Sequence, residues 1–281
     1  MSRKSGAIHW GSLVTKKIAI VFYGITRSLR YTIESIEQHV YAPARLAGQV
    51  KVYAHFFIQD RIDNPRTAEV GALDPNEWYL LKTDHVQREL PDLTLENRYL
   101  AELLPFGNAW EDEGQSLRNI LRQLISLQRV TQAILDQGGA DVVIFVRPDM
   151  RHNEDITVNL SDVHPLTLIV PYWQWSGGLN DRMAICGREA FSVWGMRIQH
   201  ALKFCRNKRK PFHSERLLMD VVKHSTVQFK VMSWRATRIR MNGQAAAETF
   251  QQVKVAKRLE AWCLCVVRPF LVRLFRRRSS P

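Results

Sequence analysis

The chain is poor in the features that would assign it quickly to a class. Its four cysteines, Cys186, Cys205, Cys263 and Cys265, form no CxxC pair and show no zinc spacing. That excludes a disulfide scaffold and a zinc module, and it fits reduced thiols in a cytosolic setting. No uncharged apolar run reaches about 18 residues, so no transmembrane helix is expected. Ile8, His9 and Trp10 are followed at once by Gly11 and Ser12; this is no signal-peptide core, and no secretory signal is expected. GxGxxG is missing after the first apolar run, which excludes the dinucleotide fingerprint. GxxxxGK[ST] is missing too, and with it the P-loop. There is no GxSxG elbow, and the cysteines lack a nucleophile signature.

What is present is a chain of 281 residues, 46% of them hydrophobic. That is enough for one large α/β domain, or one domain with an appendage. The net charge of +13 is unevenly spread: residues 1–200 hold 21 Lys/Arg against 23 Asp/Glu, and residues 201–281 hold 19 against 4. The whole basic excess therefore sits in the last third, with clusters at 204–210 (FCRNKRK) and 275–280 (FRRRSS). Such a block is either a solubilising face or a surface for an anionic partner: lipid, nucleic acid or a phosphorylated substrate.

Hydrophobic patterning predicts a loose leader over residues 1–15, a strand over 16–24 stopped by Gly24, and a helix over 25–46. A second strand follows at 50–58. This β-α-β start calls for a parallel sheet. Residues 59–110 are polar and broken by prolines, and predict a variable region with one or two short helices and a strand. The clearest helix spans 115–139, with Gly138–Gly139 as its stop. Residues 141–146 read as a central strand that is apolar on both faces. Strands at 167–173 and after the glycine turn within 177–187 come next, then helices over 188–202 and 214–225, and a strand followed by a loop over 227–243. Residues 245–278 carry a helical apolar stripe interrupted at Pro269. The expected layout is a catalytic α/β unit over 16–243 and a basic amphipathic helical tail over 244–281.

Polar residues gather where strands end. In an open α/β sheet, ligands bind outside the carboxyl ends of the strands. Gly24 and Arg27 follow the first strand, Arg147 and Asp149 the central one, and Asn180 and Asp181 lie in the glycine turn. Arginine offers a planar fork for a diphosphate, and a carboxylate such as Asp149 offers a hard oxygen ligand for Mg²⁺ or Mn²⁺. Asp181 and Glu215 are the candidate general bases. Plainer readings stay open beside these. Gly24 ends a strand, Arg147 and Asp149 form a salt bridge, and Asn180–Asp181 form a turn. Glu215 sits in a first helical turn capped by Ser214, and His213 is a solvated or capping residue. Trp173 and Trp175 serve either a sugar or the core.

The order of these pieces resembles bacterial and viral-type glycosyltransferases of the GT-A fold, including the group related to lipopolysaccharide-synthesis proteins. The resemblance spans roughly residues 16–240. It rests on Gly24-Ile25-Thr26-Arg27, on Arg147-Pro148-Asp149, on Asn180-Asp181-Arg182 leading to Gly187, and on Ser214-Glu215. It implies a mainly parallel, Rossmann-type sheet flanked by helices and transfer of a sugar from a nucleoside diphosphate. The acceptor would be a surface polysaccharide or lipid-linked glycan. By resemblance the nucleotide lies near Gly24 and Arg27, the diphosphate or metal near Asp149, and the sugar or acceptor near Asp181 and Glu215. The usual D-x-D is replaced by R-P-D, so one carboxylate stands where two are customary and Arg147 supplies charge in their place. The basic tail would then lie on the anionic inner face of the cytoplasmic membrane, each basic residue contributing about 1 kcal/mol. The competing expectation is a non-enzymatic α/β protein whose basic last third binds nucleic acid or anchors partners to membranes. No recognisable nucleic-acid reader module supports the first of these.

Overall fold

Ile18 to Tyr23 is an unbroken run of buried apolar side chains, and it forms the middle of the central sheet. The computed structural model of the chain describes residues 15–64, 67, 69–110 and 112–251. The first strand, β1 (Lys16–Gly24), is followed by a loop, a short 3₁₀ turn at Leu29–Tyr31 and helix α1 (Ile33–Ile36). A widened turn at Glu37–Tyr41 leads into α2 (Ala42–Ala47). The continuous helix expected over 25–46 is thus shortened and loosened, and Pro43 accounts for the loosening. Proline has no N–H to give the carbonyl one turn back. That carbonyl, of His39, accepts instead from the Ile156 amide at 3.4 Å.

Strand β2 (Gly48–Phe57) runs parallel to β1. The 59–110 segment holds more strand than expected: a hairpin of β3 (Arg61–Asn64) and β4 (Glu69–Ala72), then β5 (His85–Glu89). β5 joins the main sheet alongside β2. Helices α3 (Leu93–Leu103) and α4 (Gln115–Asp136) follow. α4 ends where Gly138 and Gly139 take positive φ and return their amides to Leu135 and Ile134. Next come β6 (Val142–Val146), β7 (Met150–His152), β8 (Thr167–Pro171) and β9 (Met183–Gly187). The helix expected over 188–202 is broken into α5 (Phe191–Gly195), a 3₁₀ turn at Arg197–His200 and α6 (Ala201–Lys208). α7 (Ser214–Lys223), β10 (Gln228–Met232) and β11 (Ala236–Arg238) complete the described elements.

The seven-stranded sheet has the order β10-β8-β9-β6-β1-β2-β5. Six strands share one direction and β9 is reversed between β6 and β8. The mainly parallel α/β sheet flanked by helices is therefore present. Period-two alternation splits the core. Ala19, Val21, Tyr23, Val143 and Phe145 face α3 and α4 with α5–α7, whereas Ile18, Ile20, Phe22, Val142 and Ile144 face α1, α2 and Trp173. A two-stranded sheet of β7 and β11 sits beyond the end of β6.

Residues 245–251 are not helical. The rest of the expected helical tail, with Pro269, Cys263 and Cys265, lies outside the described residues, as does nearly all of the leader. Among the described residues no helix is long and apolar enough to cross a membrane. Cys186 and Cys205 are buried free thiols, as the sequence implied.

Candidate functional site

Parallel strands bring their carboxyl ends to one rim, and the reversal of β9 brings its entry loop to that same rim. Gly24 ends β1, residues 147–149 follow β6, and residues 180–182 lead into β9, where Met183 pairs with Val146. The three segments picked out in the sequence are thus neighbours in space.

Gly24 has φ of +102°, which a side chain would strain. Its amide leaves the strand ladder and donates to Ser126 Oγ of α4 at 2.7 Å. Ser126 donates to the carbonyl of His55 at 2.7 Å, and its hydroxyl also lies 2.9 Å from His55 Nδ1. A buried hydroxyl and imidazole therefore fix the end of the central strand. Burial lowers the pKa of His55, against the pull of Glu89.

Asp149 is almost fully buried and is the hub of the rim. Arg147 reaches it through a two-pronged contact, Nε to Oδ1 at 3.0 Å and Nη2 to Oδ2 at 2.6 Å. Arg27 donates to the same Oδ2 at 2.6 Å and to Glu69 at 2.9 Å. Arg240 joins Glu69 at 3.3 Å. The strand pairing of β11 continues upward: Ile239 donates its amide to the Asp149 carbonyl at 2.8 Å and accepts from Ser28 Oγ at 3.0 Å. Arg238 and Arg240, two residues apart, are thereby stitched over Arg27 and Asp149. Burial alone would push the Asp149 carboxyl up, but Arg147 and then Arg27 hold it far below the usual carboxylate range. Burial likewise works against the charge of Arg147, and the adjacent Asp149 more than restores it. For Arg238, burial and then the nearby Arg147 lower the pKa to about 10, despite Glu248 at 3.4 Å. Arg182 also bears on Arg238 and lies 5.6 Å above the Trp173 ring, with Nε and Nη1 buried and unpartnered.

The guanidiniums of Arg27, Arg147, Arg182, Arg238 and Arg240 thus stand against the carboxylates of Glu69, Asp149 and Glu248. Guanidiniums outnumber carboxylates around Asp149, which suits an anion such as a diphosphate.

The remaining predicted residues take different places. Asn180 uses both ends of its amide in the framework: Nδ2 donates to the Trp173 carbonyl at 2.8 Å and Oδ1 accepts the Arg182 amide at 3.0 Å. Asp181 is buried, 4.0 Å from Nη2 of the fully buried Arg197. Burial lowers the Arg197 pKa, with Asp181, Tyr23 and Glu215 acting in the opposite sense. Glu215 pairs with His213 at 3.0 Å. Its backbone carbonyl receives the Leu179 amide at 3.0 Å and packs so tightly on Gly178 that a Cβ there would lie 1.8 Å from it. The N-cap position of α7 is His213 rather than Ser214, and Ser214 Oγ is buried without a partner. Trp173 and Trp175 are core residues whose indole N–H groups are bound by the Trp234 and Pro171 carbonyls.

A divalent cation is poorly matched by this geometry. The oxygens of Asp149 are taken by Arg27 and Arg147, and among the described residues no three His, Cys, Asp or Glu side chains converge as metal ligands. A groove of about 650 Å³ lies elsewhere, between β5, α3 and α4. The rim remains the stronger candidate because unbalanced, ionisation-perturbed charges from four segments meet there.

No protein-family model matches the chain, and no curated protein matches it.

Sequence reasoning passed over Glu69, Arg197, Arg238 and Arg240, and took Arg182 only as part of a motif. A signal for two of them was present. Arg238 and Arg240 are separated by one residue in an extended segment, a spacing that puts both on one face.

Proposed function

We propose that the chain is a glycosyltransferase of GT-A type, moving a sugar from a nucleoside-diphosphate donor to a polysaccharide or lipid-linked glycan acceptor. The observation that carries this reading is the excess of guanidinium groups around Asp149 at the strand-end rim. Breaking the bond between the sugar's anomeric carbon and the diphosphate leaves the electron pair on the diphosphate, and that charge needs fixed cationic donors. Arg147, Arg182 and Arg238 supply it, and Arg27 with Asp149 holds Arg147 in place. Asp181 takes the proton of the attacking acceptor hydroxyl, with Arg197, 4.0 Å away, orienting its carboxylate. Asn180 shapes the loop that carries Asp181, and Glu215 supports that loop from α7. In this reading Arg147 does the work of a Mg²⁺ or Mn²⁺ ion. The exposed run Arg206, Lys208, Arg209 and Lys210 at the end of α6 suits anionic lipid, the membrane association proposed for such an enzyme.

The test is a thermal-shift screen of nucleoside diphosphates. At about 100 times the dissociation constant, a true ligand adds about 2.7 kcal/mol, which is easily seen as a higher melting temperature. A flat response to every nucleoside diphosphate, combined with salt-sensitive retention on DNA, would favour the nucleic-acid alternative instead.

A further inference from the structure

The 650 Å³ groove is built from residues that the rim does not use. It lies on the α4 side of the sheet, toward the strand ends remote from the rim. His85 at its wall begins β5, and Gln137 leaves α4 just before the chain returns to the start of β1 through the Asp141 amide and Lys17 carbonyl. Its volume lies within the usual range of ligand sites, about 300–1,000 Å³.

We propose that this groove is a second binding site, for a segment of neutral glycan. Five glutamines line it, and the side chains of three of them, Gln87 of β5, Gln128 of α4 and Gln199 of the 3₁₀ turn, make no hydrogen bond to any described residue. An amide donates and accepts at once, as a sugar hydroxyl does, so a row of unpaired amides matches a polyhydroxylated chain. The wall carries Arg98, Arg129 and Asp136, and each is engaged. Arg129 is 3.5 Å from Glu89, Asp136 accepts from Gln132 at 2.8 Å, and Arg98 lies 5.8 Å from the Tyr99 ring centre. With Arg129 paired to Glu89 beside the wall, Arg98 and Asp136 are the remaining opposite charges, so the groove differs in kind from the arginine-rich rim. Leu95, Tyr99 and Met196 add apolar surface for the C–H faces of pyranose rings. The assignment does not depend on the sugar-transfer reading; under that reading the groove would hold an acceptor chain away from its reacting end.

Native affinity electrophoresis of the full chain, in gels containing dextran, mannan or galactan, tests this. Migration should be retarded by at least one of these neutral polymers, and the retardation should survive added salt. The triple variant Gln87→Ala, Gln128→Ala, Gln199→Ala should lose it at an unchanged melting temperature, since Gln87 and Gln199 are exposed and Gln128 is half-exposed. Two results each overturn the proposal: retardation by none of the polymers, or equal retardation of the triple variant. Because the nucleotide screen and the polysaccharide gels use different ligands, either reading can fail while the other stands.

Discussion

Asp149 holds two guanidinium groups in a space nearly closed to water, and that pairing sets its energetics. Removing one member of a buried ion cluster leaves the others uncompensated, at a typical loss of about 3–5 kcal/mol. Asp149→Asn should lower the urea midpoint accordingly. The pH dependence has a definite sign. The folded carboxyl titrates below its unfolded value of about 3.9, so its contribution is fully present above that value and is lost as pH falls through the depressed folded value. The stability difference between parent and Asp149→Asn should therefore be constant near neutrality and shrink below about pH 4, as read from urea midpoints taken across pH. Asp181 has a different task. Asp181→Asn should keep the nucleoside-diphosphate thermal shift yet lower the rate of sugar transfer by about 10²–10⁴-fold, measured with saturating donor. Arg147, Asp149 and Asp181 were legible as single letters at strand ends. Glu69 and Arg197 were not, because nothing local distinguishes a buried charge from a solvated one until its partner arrives from elsewhere in the chain.

At the scale of elements, the loop of residues 177–182 leans on the first turn of α7, with the Leu179 amide on the Glu215 carbonyl and no room for a side chain at Gly178. Gly178→Ala should push that loop away and displace Asp181. The expected result is a stability loss of about 1–3 kcal/mol and a fall in transfer rate larger than any fall in nucleotide affinity. Equal losses in both would place the loop's influence on the arginines instead. The long α4 could be read from its helical period, and the strands β1, β2, β6, β8 and β9 from continuous apolar runs buried on both faces. The helix expected over 25–46 begins only at Ile33 and is widened at Glu37–Tyr41 ahead of Pro43, whose missing backbone donor apolar spacing does not register. β5 was hard to read for another reason. As an edge strand it carries Gln87, Arg88 and Glu89, so its sequence is polar, and only pairing with β2 makes it a strand.

At the scale of the whole molecule, the proposed sugar transfer relies on the arginines of the rim in place of a metal ion. Chelation with EDTA should accordingly leave the nucleoside-diphosphate thermal shift intact, and added Mn²⁺ should not enlarge it; a shift that appears only with Mn²⁺ would contradict that reliance. The segment stitched over Asp149 has a further consequence, for the order of events during synthesis. Residues 28, 149 and 239 are tied together by two hydrogen bonds, so the upper wall of the rim comes from a stretch translated long after its floor. A nascent chain that has already paired β1 with β6 still lacks Arg238 and Arg240. The upper wall of the rim is thus completed only once residues 238–240 have been made, long after β1 and β6.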